Sequence, residues 1–357
     1  MRAGLRVPKP RGSEPLLRAR ISPSPMVDPQ LLLAPLILAA LGLAFEVIGQ
    51  RRDTTRFPVP GKRVRVANTH LHVRTRGKGY PVIVLEAGAG AWSTHWDPLI
   101  GPLSELSTVV TYDRAGLGWS AAGEGPRSAD CAALELSELL RQVAPKSAKV
   151  ILVAHAEGAR IARAFASRYP HKMEGLVFVD GYHESLEPSL EQAGVPSPRV
   201  STAMLAGLMW AGRFGLLRLL RYPPLAPGLE ETPLGRANLE AIAALSRDPR
   251  VLAGMRAEQQ ASWESDKKLA ADPTERKTPC RTLVAGASLP SAGLPEGFPQ
   301  KRFNALWAQA SARLAVAFSQ DPGSARVLEE ADHLLPLRHP QAVVACVRDL
   351  LGRSTES

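Results

Sequence analysis

The stretch that decides the fold reads VILVAHAEGA and covers residues 150–159. Its first half is a continuous apolar run, which is typical of a strand buried on both faces of a parallel sheet. Its second half leads into a helical pattern, and the small residues Ala154, Gly158 and Ala159 allow the strand and the helix to approach closely. The stretch therefore predicts a sharp strand-to-helix turn that displays Ala156 at the carboxyl edge of the sheet.

Buried strands of the same kind recur along the chain and alternate with amphipathic helices. A β-hairpin over 63–73 comes first. Apolar runs then predict strands at 82–85, 109–112, 150–153, 176–179, 282–284 and, more weakly, 327–328. Helical periodicity is found at 132–143, 159–168, 303–318 and 341–351. This alternation predicts an α/β fold with a mostly parallel central sheet and helices on both faces.

The pattern divides the chain into three parts. Residues 58–183 and 276–357 carry the strands and form the predicted core, and residues 1–57 precede it. Residues 184–275 contain no strand of this kind, which predicts a helical lid inserted after the sixth strand. Within the lid, we interpret residues 204–220 as a helix whose apolar face roofs a pocket, and a lid that touches a membrane is the alternative.

The N-terminal part carries most of the net charge. The chain has a net charge of +10, and residues 1–65 hold 12 Lys and Arg against 4 Asp and Glu. An uncharged run over 31–45 lies between basic clusters and is shorter than the ~20 residues that span a bilayer. We interpret the segment at about 31–49 as a membrane anchor. A cleaved signal peptide, with small residues near 40–42, and a core helix with nothing obvious to pack on are the alternatives.

Two orientations in the membrane are compatible with the sequence. The basic cluster upstream of the apolar run favours a cytoplasmic N-terminus and an exported domain. If Met26 is the true start, Arg51 and Arg52 would instead hold the domain in the cytoplasm. A secreted or periplasmic protein, released after signal cleavage, is the further alternative.

Charge and cysteine usage exclude several classes of function. After residue 65 the chain has a net charge of only +2, which leaves no basic face of the kind that nucleic-acid binding needs. Cys131, Cys280 and Cys346 form no CxxC pair and no Cys/His cluster, so we expect reduced thiols and no metal. Gly116-x-Gly118 lacks the later glycine and helix of a dinucleotide site, so we expect no cofactor.

Two further residues complete a candidate catalytic site around Ala156. Asp180 ends the strand over 176–179, and His333 lies between the last strand and the final helix. A nucleophile displayed on a strand-to-helix turn needs a histidine that takes its proton and a carboxylate that orients the histidine. The chain order of turn, acid and histidine is the order found in sites of this kind.

A glycine-rich loop, EAGAG at 86–90, follows an earlier buried strand. The backbone N–H of Ala89, with that of Glu157 at the start of the helix, is placed to stabilise a developing negative oxygen. An ordinary strand exit is the alternative for this loop taken alone. We expect the side chain of Glu157 to point away from the site.

Other titratable residues are weaker candidates. The loop after the strand at 282–284 carries no carboxylate, which strengthens Asp180 as the acid, and Asp321 is the second choice. Asp113, in the loop DRAGLGWS at 113–120, is interpreted as structural, with its carboxylate accepting backbone N–H bonds. His155 adjoins the turn and is expected to point into the core.

These motifs together resemble the α/β-hydrolase superfamily. The chain looks most like bacterial membrane-anchored hydrolases that have an EAGxG loop, a YDRAGxGxS loop, a GHSxGG elbow and an LVD strand end. The resemblance covers residues 58–181 well and 276–352 less specifically. It departs from the family pattern at the elbow, where Ala154, Ala156 and Ala159 stand in place of Gly, Ser and Gly.

The resemblance implies roles for the site residues. The positions of Ala89 and Glu157 form the oxyanion hole in the family, and those of Asp180 and His333 complete the triad. The nucleophilic serine is replaced by Ala156. We therefore expect an ancestral serine ester or acyl hydrolase that is catalytically impaired and that binds a small apolar ester-like or acyl ligand at a membrane.

Two alternatives retain enzymatic activity. The first is an active esterase in which the serine has been exchanged for alanine. The second is proton abstraction by the Asp180–His333 pair without a covalent step.

Overall fold

Eight strands form one mixed sheet in the protein. The structure is a computed structural model and describes residues 29–222, 228–272, 278–289, 295–318 and 324–354. The strands are β1 (Lys62–Val66), β2 (Thr69–Arg76), β3 (Val82–Glu86), β4 (Val109–Tyr112), β5 (Val150–His155), β6 (Met173–Val179), β7 (Cys280–Ala287) and β8 (Ala325–Asp332). Their order across the sheet is β1-β2-β4-β3-β5-β6-β7-β8. The β1–β2 and β2–β4 pairs are antiparallel and the other pairs are parallel, which confirms the predicted α/β fold.

Helices follow or precede most strands. In the described residues they are α1 (Pro29–Arg56), α2 (Asp97–Ser104), α3 (Ala129–Val143), α4 (Gly158–Arg168), α5 (Leu186–Ala193), α6 (Thr202–Arg213), α7 (Leu216–Leu219), α8 (Arg236–Leu245), α9 (Pro249–Ala270), α10 (Gln300–Phe318), α11 (Leu335–Arg338) and α12 (Pro340–Ser354). Short 3-10 turns occur at Ser93–Trp96, Pro170–Lys172 and Leu229–Glu231. The helices α5 to α9 lie between β6 and β7, and we call them the lid.

The core has two halves because successive strand residues point to opposite faces of the sheet. Val82 and Val84 pack on one face, where α3, α4 and α10 supply buried residues. Ile83 and Leu85 pack on the other face, against α2 and α12. The central strands are therefore apolar throughout, and their carboxyl ends meet at one edge, where the site lies.

The lid differs from the single helix predicted over 204–220. The helix α6 ends at Arg213, and α7 begins only at Leu216. Gly215 between them has φ +71°, a left-handed conformation that glycine adopts without strain. The lid also lies close to the loop after β4. A Cβ at Gly254 of α9 would lie 2.8 Å from the carbonyl oxygen of Gly116, so this contact needs a glycine.

Helix α1 packs on the lid, which corrects the expectation that it has nothing to pack on. A Cβ at Gly42 would lie 2.5 Å from the carbonyl oxygen of Phe214, so the two backbones are in close contact. The guanidinium of Arg218 donates to Glu46 from Nε at 3.0 Å and to Asp53 from Nη1 at 2.7 Å. The second half of α1 is thereby fixed to α6 and α7.

Candidate active site

The turn between β5 and α4 has the sharp geometry that the sequence predicts. Ala156 adopts φ +48°, which is uncommon for a residue with a Cβ. Its N–H donates to the carbonyl of Val179 at 3.2 Å, and its carbonyl accepts from Tyr182 at 2.9 Å. These bonds hold the turn against the end of β6, and the methyl group of Ala156 lines a cavity at the sheet edge.

The close approach of α4 to β3 depends on Gly158. A Cβ at this position would lie 2.7 Å from the carbonyl oxygen of Ala87 and 2.8 Å from that of Glu86. Real Cβ atoms do not approach backbone oxygens this closely, so a larger residue would push α4 and the loop after β3 apart. The loop and the turn are therefore set face to face by one glycine.

Asp180 lies directly after β6 and is fully buried. Its Oδ1 accepts three hydrogen bonds, from the N–H of Ala285 at 3.1 Å, the hydroxyl of Ser288 at 2.9 Å and the indole N–H of Trp307 at 2.9 Å. Such a set of donors holds the carboxylate in a single orientation. The second oxygen, Oδ2, is directed at His333.

His333 follows β8 and meets Asp180 across the sheet edge. Its Nδ1 lies 2.7 Å from Oδ2 of Asp180. Burial acts to lower the pKa of His333, but the hydrogen bond and the negative charge of Asp180 outweigh it and raise the pKa above 6.5. Glu157 adds to the rise. The pair Asp180–His333 thus has the geometry that orients an imidazole toward the cavity through its other nitrogen, Nε2.

His155 does not point into the core as expected but lies under His333 at the edge of the cavity. Its Nε2 lies 2.8 Å from the backbone carbonyl of His333, and the two ring centroids are 4.7 Å apart. Burial, with the charge of His333, lowers the pKa of His155 to about 3, so this ring stays neutral. His155 is a positioning residue for the loop that carries His333.

Ala89 and Glu157 meet through the backbone of Ala89 and the side chain of Glu157. The N–H of Ala89 donates to Oε2 of the Glu157 side chain at 3.5 Å, a long hydrogen bond. The prediction that this side chain points away is therefore wrong. Burial acts to raise the pKa of Glu157, and the charges of Arg160, Arg199 and His333 outweigh burial and lower the pKa to about 2. These positive charges explain why the carboxylate turns inward.

A cavity of about 710 Å³ opens over these residues. Ala156, Glu157 and His333 lie in its wall. Most of the remaining surface is apolar and comes from both the core and the lid: Ile161, Pro198, Val200, Leu205, Leu229, Ile242, Met255, Leu289, Phe303, Trp307, Leu334 and Leu337. A cavity of this size and character accommodates a small, mainly apolar molecule.

Buried ion pairs fix the lid helix α9 over the cavity, and no sequence motif predicted them. Arg114 donates to Glu86 at 2.8 Å and to Glu258 of α9 at 2.6 Å. Arg160 of α4 pairs with Asp266 of α9 at 2.5 Å. The available signal was Glu86 itself, because a carboxylate at the end of a buried strand needs a charged partner.

The remaining candidates have structural roles or lie outside the described part of the chain. Asp113 accepts from the N–H groups of Ser93 at 2.9 Å and Trp119 at 2.8 Å, as predicted. It also pairs with Nδ1 of the buried His72 at 2.9 Å. Asp321, the second choice for the acid, lies outside the described residues. Among the residues that are described, no group of three or more His, Cys, Asp or Glu is placed to hold a metal ion.

Comparison with known proteins identifies the family. The chain matches the sequence profile of the Alpha/beta hydrolase family over residues 83–346, and it belongs to this family. It is 35% identical over 105 residues to "Uncharacterized protein YqjL" of Bacillus subtilis (strain 168), which covers 29% of this chain and 41% of that protein. It is 32% identical over 119 residues to 2-(acetamidomethylene)succinate hydrolase of Mesorhizobium japonicum, with 33% and 42% covered. The chain spans about two fifths of the length of the most similar of these curated relatives.

Solved structures share the fold. A thermophilic esterase from Thermogutta terrifontis superposes with a TM-score of 0.55 and 19% identity, covering 82% of this chain and 99% of the esterase. The enol-lactonase from Burkholderia xenovorans LB400 gives a TM-score of 0.54 and 20% identity, with 82% and 100% covered. At these identities the similarity shows the fold alone.

Proposed function

We propose that this protein is a membrane-anchored member of the family that binds a small acyl or ester-like molecule and does not cleave it by the covalent route. One observation carries the proposal: the turn that displays the nucleophile in such sites displays the methyl group of Ala156 here, beside the ordered pair Asp180–His333. A methyl group has no proton to give to a histidine and no lone pair to attack a carbonyl.

The size of the expected impairment follows from known triads. Removal of the serine from such a triad lowers turnover on the order of a millionfold. The carboxylate of Glu157 adds to this loss, because it bonds the N–H of Ala89 that would otherwise stabilise a negative oxygen. We infer that the site holds its ligand without a covalent intermediate.

The ligand class rests on the wall of the cavity. Its surface is mainly aliphatic and aromatic, and the arginines in its wall are already paired, as Arg114 is with Glu258 and Arg160 is with Asp266. An anionic ligand would find few free counter-charges there. An acyl chain with a polar ester-like end near His333 fits this distribution.

The anchoring part of the proposal rests on α1. One N-terminal helix, Leu33–Arg56, is long and apolar enough to cross a membrane, although a signal sequence passes the same test. We favour an anchor because the second half of α1 is tied to the lid through Glu46 and Arg218. A C-terminal reporter that is active on only one side of the membrane tests on which side the domain lies.

The central experiment measures binding and turnover of one compound, p-nitrophenyl butyrate. We expect the purified protein to bind the ester in calorimetry and to release p-nitrophenol no faster than His333→Ala does. Turnover by the unaltered protein that His333→Ala abolishes would contradict the proposal. If the gene encodes serine at position 156, the proposal gives way to the alternative of an active esterase in which that serine has been exchanged for alanine.

A second candidate function is general base chemistry without a covalent step. It is favoured by the state of the pair Asp180–His333, which retains three hydrogen bonds to the acid and a 2.7 Å contact to the histidine. A proton abstracted by Nε2 needs no hydroxyl at position 156. The measurement that would establish this chemistry is exchange of the α-protons of butyryl thioesters for deuterium in heavy water. The wild type should catalyse the exchange, and His333→Ala should not.

A further inference from the structure

The outer surface of the lid carries a group of exposed apolar side chains, which we call the apolar lid patch. It belongs to α6, α7 and the residues that flank α7, and it consists of Met204, Trp210, Phe214, Leu216, Leu219 and Leu220. Trp210 is 53% exposed and Leu219 is 69% exposed. Isolated apolar residues are ordinary on a protein surface, but a contiguous group of this kind indicates a contact surface.

The members of the patch are arranged on one side of the lid. The rings of Trp210 and Phe214 are stacked, with centroids 6.4 Å apart. Leu216, Leu219 and Leu220 stand three and four residues apart, a spacing that places side chains on the same face of a helix. The patch therefore contains one aromatic pair and three leucines that share a helix face.

This surface continues into that of α1. A Cβ at Gly42 would lie 2.5 Å from the carbonyl oxygen of Phe214, and a Cβ at Gly215 would lie 2.7 Å from the ring of Phe45. Before these contacts, α1 exposes the side chains Leu33, Leu36, Ile37, Leu38 and Leu41. A bilayer that surrounds the first half of α1 would reach the patch without a break.

The depth of Phe214 within the patch follows from the position of the charges on α1. Glu46 is the first charged residue of this helix, and it is 3% exposed because Arg218 covers it. Gly42 lies four residues earlier, which is about 6 Å along the helix axis. Phe214, in contact with Gly42, therefore lies on the apolar side of the level at which charges begin.

Basic residues lie next to the patch and on the part of α1 that follows Glu46. The guanidinium of Arg213 lies 5.5 Å from the centre of the Trp210 ring. Arg221 follows α7, and Arg51 and Arg52 follow Glu46 on α1. Tryptophan and arginine together are typical of the lipid headgroup level, where arginine also meets anionic phosphates.

We propose that the apolar lid patch lies in the lipid–water interface of the membrane that α1 crosses, with Trp210 and Phe214 among the acyl chains near the headgroups. The inference rests on the proposed anchoring by α1. It gives the lid a second task, because Leu205 on the inner side of α6 lines the cavity. A single helix then separates the lipid from the binding site, which suits a ligand that partitions into bilayers.

The test is quenching of tryptophan fluorescence by brominated lipid. The protein is reconstituted into vesicles of phosphatidylcholine and phosphatidylglycerol, with the phosphatidylcholine either plain or brominated near the headgroup end of its acyl chains. The emission of wild type minus that of Trp210→Phe isolates Trp210 among the six tryptophans. Trp263→Phe is the matched control, because Trp263 is 72% exposed on α9 and lies outside the patch.

We expect bromine to reduce the Trp210 emission by more than half and to leave the Trp263 emission unchanged. If the protein floats with the vesicles but the Trp210 emission is equally bright in both, the inference is wrong and the anchoring stands. In that case, dimers found by light scattering would assign the patch to a second copy of the chain. If the protein does not float with the vesicles, both the anchoring and the inference are overturned.

Discussion

At the scale of single residues, the proposed loss of covalent chemistry rests on two neighbours on one turn. Ala156 removes the hydroxyl, and Glu157 places a carboxylate against the N–H of Ala89. These effects are separate, because the first removes the attacking atom and the second occupies a donor that would stabilise the product of attack. Restoring the hydroxyl alone therefore restores only part of the chemistry.

The first prediction concerns Ala156→Ser with and without Glu157→Gln. We expect the double variant to exceed Ala156→Ser in kcat/KM for p-nitrophenyl butyrate by about tenfold or more, since one oxyanion donor contributes about 10²–10³. The glutamine keeps the shape of the side chain and removes the charge that opposes a negative oxygen.

Ala156→Ser/Glu157→Gln/His333→Ala serves as the control for this comparison. Its rate should fall to that of the unaltered protein, because the serine then lacks its base. Equal rates for the single and double variants would show that Glu157 does not compete for the oxyanion position.

The second prediction concerns the pH dependence that His333 gives to stability. Its pKa is raised above 6.5 in the folded protein, so its contribution is fully present below pH 6.5 and is lost as pH rises through the folded value. The difference in unfolding free energy between wild type and His333→Gln should therefore shrink between about pH 6 and about pH 9. Urea titration in detergent at the two pH values measures it, and a constant or growing difference would contradict the assignment.

At the scale of elements, Gly158 sets the distance between α4 and the loop after β3. The third prediction is that Gly158→Ala destabilises the protein by about 1–3 kcal/mol, because the added methyl group meets backbone oxygens that cannot rotate away. Chemical denaturation of the purified protein measures this loss.

Gly207 offers the matched control. It lies inside α6, and a Cβ there would meet nothing within 4 Å. Gly207→Ala should stabilise the protein by about 0.5–1 kcal/mol, because alanine favours the helix. Losses of similar size in both variants would mean that the close contact at Gly158 is not the cause.

The elements also show what the sequence reveals and what it hides. The apolar runs of the central strands predicted β3 to β7 because burial on both faces leaves no room for polar residues. The last strand was predicted at 327–328 only, yet β8 runs over Ala325–Asp332, because an edge strand carries polar residues such as Glu329. The break at Gly215 was not predicted, since an apolar stretch with one glycine reads as one helix.

The chain order of the site residues was predictable from the sequence, but the position of the Glu157 carboxylate was not. Asp180 and His333 were found because strand ends of a parallel sheet meet at one edge, and they lie 2.7 Å apart. The direction of the Glu157 side chain was predicted wrongly. It depends on Arg199, far away in the lid sequence, and on His333. Contacts between residues so far apart in the chain leave no local sequence pattern.

At the scale of the whole molecule, α1 and the lid behave as one unit through Arg218. The fourth prediction is that Arg218→Met lowers the unfolding free energy by about 3–5 kcal/mol, because Glu46 is left as a buried charge without its partner. Glu46→Gln/Arg218→Met should recover most of this loss. Urea titration in detergent measures both variants.

Arg236→Met is the comparison for that series. Arg236 also pairs with a glutamate, Glu240 at 3.0 Å, but its side chain is exposed to solvent. Exposed pairs contribute about 0–1 kcal/mol, so this variant should be near neutral. A loss from Arg218→Met no greater than that from Arg236→Met would show that α1 is not fastened to the lid.

The pair Glu46–Arg218 also constrains how the chain is made. The two residues are separated by 172 positions, so α1 leaves the ribosome long before its counter-charge exists. At 5–20 residues per second the interval is roughly 10–35 s. In the proposed anchored form, Glu46 has only water to solvate it during that time, and the nascent helix stops at the membrane surface with its carboxylate outside. The completed lid then covers a carboxylate that did not enter the bilayer.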